Sequence, residues 1–388
     1  MDGRNALSHL VVILLACTLG PAACGDSDAM STDAATTTDD DTATSADTNA
    51  TAGPTTDDAT ASSDGSGSTS SDGSTGATDP DPTSDASSDP SATSDPTDPT
   101  DPTDPSTTGE PPAGCGMPHP GAGWLSSQSI MVDGLTREFN LFIPSGYDPN
   151  TPTSLVLNFH GLLGTPAQQA DFSQFNDTAE ARGIVVAYPA GIGNSFNAGA
   201  CCGKAHDDGV NDILFARELV NELLATLCID PRRVYATGMS NGGHMAHALA
   251  CRAADVFAAT ASVAGVLGFA PADCAPSRPI SMLDFHGDAD LIVSYNGAGP
   301  GYPAVVPMMK GWAARDNCQT ESQVTFQQGD MTCETWPGCQ AGVEVTLCTI
   351  AGGGHCWPGN GSCIFGHSST ELHASEAIAD MFAAQTLP

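Results

Sequence analysis

Positive charge is what this chain has least of. Lys and Arg number 11 among 388 residues, against 46 Asp and Glu, for a formal charge of −35. So acidic a chain is repelled by phosphate backbones and anionic headgroups, which excludes nucleic-acid binding and polybasic attachment to lipid. No apolar run reaches 18 residues, so the sequence holds no ordinary transmembrane helix. Cys-x-x-Cys pairs are missing, and Cys201 and Cys202 are adjacent, a poor spacing for zinc. No metal site and no cofactor is expected.

The acids are unevenly spread. Twenty of them fall in residues 25–114, a tract of Thr, Ser, Asp, Ala, Pro and Gly without a single Lys or Arg. Such a segment buries too little apolar surface to offset its ordering entropy, which predicts a disordered linker. Its end repeats Asp-Pro-Thr from Asp95 to Thr103, and proline and like charge both stiffen it into a spacer. Ahead of it, residues 1–24 read as a signal peptide: Arg4, a short apolar core from Ala6 to Leu19, then Pro21-Ala22-Ala23 before Cys24. The stretch ending at Cys24 resembles a bacterial lipoprotein signal, in which that cysteine carries the lipid. Leu14-Leu15-Ala16-Cys17 is a competing box, and a plain secretory cut near Ala23 is the alternative. Residues 115–388 then form one full-sized domain.

Twelve of the 14 cysteines lie in that domain. An even number behind an export signal predicts a disulfide framework and an exported protein, anchored in the cell envelope or secreted. Cys333 and Cys348 look cross-strand and Cys356 and Cys363 look local; the remaining connectivity is open.

Strand-like runs alternate with helical ones. Arg137–Ile143, Ser154–Phe159, Ile184–Tyr188, Val234–Thr237, Phe257–Val263 and Pro279–Phe285 are β-prone, as are 324–326, 332–336 and 343–350. Pro166–Arg182, Asp212–Leu227, Asn241–Ala254 and Thr370–Gln385 are helix-compatible. The alternation predicts an α/β fold, a mostly parallel sheet with helices on both faces.

Gly238-Met239-Ser240-Asn241-Gly242 fits G-x-S-x-G between a strand and a helix. The sharp turn lifts the Ser240 hydroxyl out of the sheet and aims the Asn241 N–H at a nascent oxyanion. A serine needs a base, and the base an orienting carboxylate. Asp290 is favoured over Asp288 as that acid, both just past the strand ending at Phe285. The base is His355, in Gly352-Gly353-Gly354-His355-Cys356-Trp357. His286 reads as a structural turn residue. The second oxyanion donor is expected from Leu162 in the loop His160-Gly161-Leu162-Leu163-Gly164, with His160 supporting that loop on the substrate side.

Together these stretches resemble a known family. Arg137–Pro144, Phe159-His160-Gly161, Cys201-Cys202-Gly203, Arg233–Gly243, Phe285–Asp290 and Gly354–Gly359 are similar to the secreted esterases that include polyhydroxybutyrate depolymerases and feruloyl esterases. The resemblance implies an α/β-hydrolase and a triad of Ser240, Asp290 and His355. Two positions depart from it: Phe196 stands where tryptophan is frequent, and Val293-Ser294-Tyr295 where Val-Pro-Tyr is expected. The resemblance implies that both flank the acyl site, which leaves the acyl group open.

The chain between Val263 and Pro279 is too short for a large lid, so an open cleft is expected, suited to polymeric or oligomeric esters. Trp357 and Tyr295 are candidates for a flat apolar wall there. The function these features predict is an exported serine esterase acting on polyhydroxyalkanoate-type or feruloyl and acetyl polysaccharide esters. A non-catalytic binding protein on a hydrolase fold and a peptidase of the same fold are the alternatives.

Overall fold

The computed structural model of the chain describes residues 111–299, 301–361, 363 and 365–388. The chain divides into two units, Met1–Thr97 and Asp98–Pro388, and every described residue belongs to the second. The signal peptide, Cys24 and the linker up to residue 110 lie outside the described residues. Residues 111–114, assigned to the linker by composition, are described, and Gly114 fits so closely on Leu227 that a Cβ would sit 2.2 Å from its carbonyl oxygen. The residues just ahead of Cys115 therefore pack against the domain.

Ten strands form one sheet: β1 Gly123–Val132, β2 Leu135–Ile143, β3 Thr153–Phe159, β4 Val185–Pro189, β5 Ile229–Met239, β6 Ala259–Val263, β7 Ser281–Gly287, β8 Gln323–Gln328, β9 Met331–Trp336 and β10 Val345–Ile350. Their order is β1-β2-β4-β3-β5-β6-β7-β10-β9-β8. The six from β4 to β10 run parallel, and antiparallel pairs finish both edges. Alternation along β3 divides the core: Leu155, Leu157 and Phe159 point to one face and Val156 to the other. Helices α4 Asp212–Thr226, α5 Asn241–Arg252 and α6 Val305–Arg315 cover the first face. Helices α1 Pro166–Ser173, α2 Phe175–Arg182 and α7 Ala374–Ala383 cover the second. The four-residue α3, Lys204–Asp207, sits in the long loop after β4.

Three elements differ from the sequence expectation. The single helix expected over Pro166–Arg182 is two, because Gln174 takes φ 52° and caps α1 before α2 begins. The Ser173 hydroxyl supports the break, donating to the Gln169 carbonyl and accepting from the Phe175 N–H. No glycine or proline marks that site. Strand β1 was not expected; it is an exposed edge strand with a bulge between Leu125 and Gln128, and its apolar alternation is weak. Helix α6 was not expected either, since Pro307 and Gly311 lie inside it.

The cysteines pair as 115–228, 201–202, 251–274, 318–339, 333–348 and 356–363. Cys333 and Cys348 are direct cross-strand partners of β9 and β10. The Cys115–Cys228 bridge spans 113 residues. A loop of that size is worth about 4–5 kcal/mol on chain entropy alone.

Buried Asp316, the C-cap of α6, accepts the Ile280 N–H at 3.3 Å through Oδ1, while Oδ2 has no hydrogen bond among the described residues. Burial pushes its pKa from 3.8 up to about 7, outweighing the pull of Ile280, Arg315 and Arg278. The native state then holds a proton that the unfolded state releases. This contribution is full below pH 3.8 and is lost as pH rises toward about 7. The stability difference between Asp316→Asn and wild type is therefore expected to grow in favour of the variant across that window. Parallel pH dependences of thermal unfolding would refute this.

Candidate active site

Ser240 joins β5 to α5 with φ 56° and ψ −118°, a conformation that costs a side-chain-bearing residue about 1–3 kcal/mol. The motif's glycine explains how it fits: a Cβ on Gly242 would lie 2.1 Å from the Phe159 carbonyl oxygen. Strand β3 thus runs hard against the elbow. The Ser240 N–H is tied to the Val263 carbonyl at 2.9 Å, and its own carbonyl accepts from the His244 N–H and from His244 Nδ1, both at 2.8 Å. The turn is held from inside, leaving the hydroxyl at the rim.

Asp290 and His355 leave the same rim. Their loops follow β7 and β10, and the order β5-β6-β7-β10 puts all three loops within three strand spacings, about 14 Å. His355 Nδ1 lies 2.7 Å from Asp290 Oδ2, while Asp290 Oδ1 accepts the Ile292 and Val293 N–H groups at 2.7 and 2.9 Å. Burial alone would raise the Asp290 pKa; the His355 hydrogen bond and charge and the two N–H groups outweigh it and hold it below the usual carboxylate range. Asp288 points elsewhere: it is exposed and accepts the Gly352 N–H at 2.6 Å. Of the two competing carboxylates, Asp290 is the one that meets His355. The loop carrying His355 needs glycine for its close approach, since a Cβ on Gly354 would lie 2.2 Å from the Phe365 carbonyl oxygen.

The Leu162 N–H makes no hydrogen bond among the described residues, whereas its neighbours do: Leu163 N–H to Asn194 and Gly164 N–H to Gly161. Gly161 touches Ser240, with a Cβ there 3.4 Å from the serine Cβ. On the other side, Asn241 opens α5, where a backbone N–H has no partner in its own helix. Its side chain is buried and pairs with a backbone: Oδ1 accepts the Phe196 N–H at 2.7 Å and Nδ2 donates to the Phe196 carbonyl at 2.9 Å. Nδ2 also lies 3.6 Å from Cys201 Sγ. The loop bearing the bonded neighbours Cys201 and Cys202 is thereby fastened to the elbow, a link the sequence did not reveal.

Several expected substrate-side residues are inside the protein. Trp357 is 0% exposed, packed between β-sheet and α7, and donates its indole N–H to Ser375 Oγ at 3.1 Å; it is no cleft wall. Its loop turns inward because α7 covers that face. His160 is buried too. It donates from Nδ1 to the Gly161 carbonyl and accepts the Gly191 N–H on Nε2, so it braces the loop rather than meeting substrate. Burial lowers its pKa to about 4, leaving it neutral. Phe196 is likewise buried, its ring against Phe159 and His160 and its backbone paired with the Asn241 side chain. Tyr295 is half-buried, its hydroxyl bonded to Thr349 Oγ1 at 2.7 Å and its ring edge-on to His286. The aromatic beside the catalytic-type histidine is instead Phe365, 39% exposed, its ring 6.4 Å from that of His355. The His355 N–H, donating to the Phe365 carbonyl at 3.1 Å, and the Cys356–Cys363 bridge hold it there. Between Val263 and Ser281 the described residues form only the three-residue turn Pro271–Asp273, with no helical cap.

The prolyl oligopeptidase family model matches residues 171–296, about a third of the chain. Feruloyl esterase B of Piromyces equi is 34% identical over 234 residues; these are 56% of this chain but 42% of that relative, so the chain spans less than half its length. The putative esterase NocK of Nocardia uniformis subsp. tsuyamanensis is 30% identical over 283 residues, 66% of this chain and 81% of that protein. Feruloyl esterase C of Emericella nidulans is 28% identical over 52% of this chain and 70% of its own. Among solved structures, acetyl xylan esterase from Aspergillus awamori superposes with a TM-score of 0.50 at 15% identity, over 67% of this chain and 99% of that one, a likeness of fold. The chain belongs to the feruloyl-esterase-like family of α/β-hydrolases.

Proposed function

We propose that Ser240, His355 and Asp290 form the catalytic triad of an exported esterase acting on feruloyl or acetyl esters of polysaccharide. The observation that carries this is the 2.7 Å contact of His355 Nδ1 with a buried, ionised Asp290, on the rim where Ser240 stands in its strained turn. Ser240 Oγ attacks the ester carbonyl while His355 Nε2 takes its proton. The Leu162 and Asn241 N–H groups receive the oxyanion. His355 returns the proton to the leaving alcohol; a water, deprotonated by the same imidazole, then releases the acid. Six disulfides support an oxidising compartment. A lipid on Cys24 would hold the enzyme at the envelope; mass spectrometry of the mature N-terminus tests that point, and an unmodified peptide beginning near Ala23 refutes it.

The names of the relatives favour aromatic or acetyl acyl groups, and a hydroxyalkanoate polyester is the second substrate class. Comparing kcat/KM on methyl ferulate, a 3-hydroxybutyrate oligomer and p-nitrophenyl acetate decides the class. A clear preference for the oligomer overturns the feruloyl reading. Labelling by a fluorophosphonate separates an esterase from an inert binding protein, and peptide anilides test the peptidase alternative that the prolyl oligopeptidase match suggests.

Phe365 takes the wall role expected of Trp357. Phe365→Ala should lower kcat/KM on methyl ferulate by about tenfold, the equivalent of one lost aromatic contact. On p-nitrophenyl acetate the change should stay within about twofold. Equal losses on both substrates refute the assignment.

A further inference from the structure

Behind Asp290 lies a second row of ionisable groups that ester hydrolysis as written does not use. Asp284, in the middle of β7, is fully buried. Two histidines flank it: His247 Nε2 of α5 is 3.7 Å from Oδ1, and His286 Nδ1 is 3.7 Å from Oδ2. These are ion-pair distances, and neither carboxylate oxygen has a hydrogen bond among the described residues. On its other side His286 Nε2 lies 2.8 Å from the Val293 carbonyl oxygen and 3.6 Å from Asp290 Oδ2, the oxygen that binds His355.

The partners determine where the protons sit. Trp312 Nε1–H is only a donor, and it points at His247 Nδ1 at 3.2 Å. His247 therefore accepts on Nδ1 and carries its proton on Nε2, toward Asp284. The Val293 carbonyl is only an acceptor, so His286 Nε2 is protonated. A neutral His286 would then aim a bare Nδ1 lone pair at a carboxylate oxygen, in a position solvent does not reach. Two facing acceptors there repel; a second proton on the ring converts the clash into an ion pair.

We propose that His286 is a buried imidazolium held between Asp284 and Asp290, and that it positions and keeps ionised the carboxylate that orients His355. Its catalytic consequence rests on the triad reading above; its charge state does not. The groups facing His286 are Asp284 on its own strand, Asp290 and Tyr295 from the following loop, and His244 and His247 from α5. His244 is neutral, lowered by burial to about 4. The ionised neighbours are thus two carboxylates. Burial works against a charged His286, yet Asp284, the Val293 carbonyl and Asp290 outweigh it and raise the pKa above the usual value. Asp284 is correspondingly held low, its two histidines overcoming burial.

The positive charge adjoins Asp290, while the Asp284 charge is one imidazole further away. Removing the pair with Asp284→Asn, which lets His286 become neutral, strips mainly positive potential from the triad. The proton on its base is then opposed less. The acid limb of the kcat/KM profile should move up by roughly half a pH unit.

Nitrogen–proton correlation spectra of the histidine-labelled full chain test the charge directly, with His286→Gln supplying the assignment. Both His286 ring nitrogens should be protonated at neutral pH and stay so above the range in which an ordinary histidine loses its proton. A bare Nδ1 at neutral pH overturns the proposal. In Asp284→Asn, a neutral His286 with an unmoved acid limb overturns the coupling to Asp290. Should that variant not fold, the profile of His286→Gln answers the same question. A merely structural role changes stability without moving the limb. Full activity in Ser240→Ala would remove the triad reading and leave the spectroscopic result standing.

Discussion

Ser240→Ala is expected to abolish ester hydrolysis, lowering kcat/KM by at least about 10³-fold on every ester tested. The reason is geometric as much as chemical. The elbow puts one hydroxyl at the rim, and β3, packed against Gly242, leaves no room for the chain to offer another. Alanine keeps the positive φ and the Val263 and His244 backbone bonds, so the thermal unfolding of the variant should match wild type. Ser240→Gly should be equally inactive yet unfold at a higher temperature than Ser240→Ala, because glycine relieves the strained dihedral. Asp290→Asn tests the next link. An amide reverses the hydrogen-bonding preference of Oδ2 and misorients His355, and losses approaching those of Ser240→Ala are expected. Retained activity in Ser240→Ala would refute the triad, and retained activity in Asp290→Asn would assign the orienting role elsewhere.

Arg137→Met is expected to cost about 3–5 kcal/mol of stability, as removal of one partner of a buried ion pair does. Arg137 and Asp212 are 2.5 Å apart and 1% and 0% exposed, and the guanidinium lies 3.8 Å over the Phe215 ring. Without arginine, Asp212 keeps only the Asn197 N–H at 2.7 Å and the N-terminus of α4 to offset burial. Burial already raises the Asp212 pKa against the attraction of Arg137, so the orphaned acid is expected to take up a proton. Adding Asp212→Asn to Arg137→Met should recover part of the loss, and a denaturant midpoint series measures both steps. A loss under about 1 kcal/mol would show that the pair contributes little net stability. The pair matters for activity too. Asn197 adjoins Phe196, whose backbone holds Asn241, so the ion pair anchors the loop that steadies an oxyanion donor.

Local pattern was enough to locate Ser240, because G-x-S-x-G after a β-run encodes a backbone turn, and a turn is a property of neighbouring residues. The same holds for the central parallel strands β3 and β4, whose short, mostly apolar runs indicate burial on both faces. The Cys333–Cys348 bridge was legible because antiparallel register makes cross-strand neighbours predictable. Asp284 carried a signal that went unread: a carboxylate inside the buried run Ser281–Gly287 needs partners, and His244 and His247 stand one turn apart on α5.

What local pattern could not decide was which side of a loop faces the cleft. Asp288 and Asp290 are two residues apart past one strand, and only the turn that gives Asp288 to the Gly352 N–H sends Asp290 to His355. Trp357 lies inside the Cys356–Cys363 loop and Phe365 just beyond it; the packing of α7 draws the first inward, while the second stays beside His355. The sequence by itself determined the fold class and the candidate nucleophile, since these follow from short-range backbone geometry and residue type. The tertiary structure alone decided which carboxylate meets His355, which aromatic borders that histidine and which ionisable groups lie behind Asp290, because each depends on contacts between separate segments of the chain.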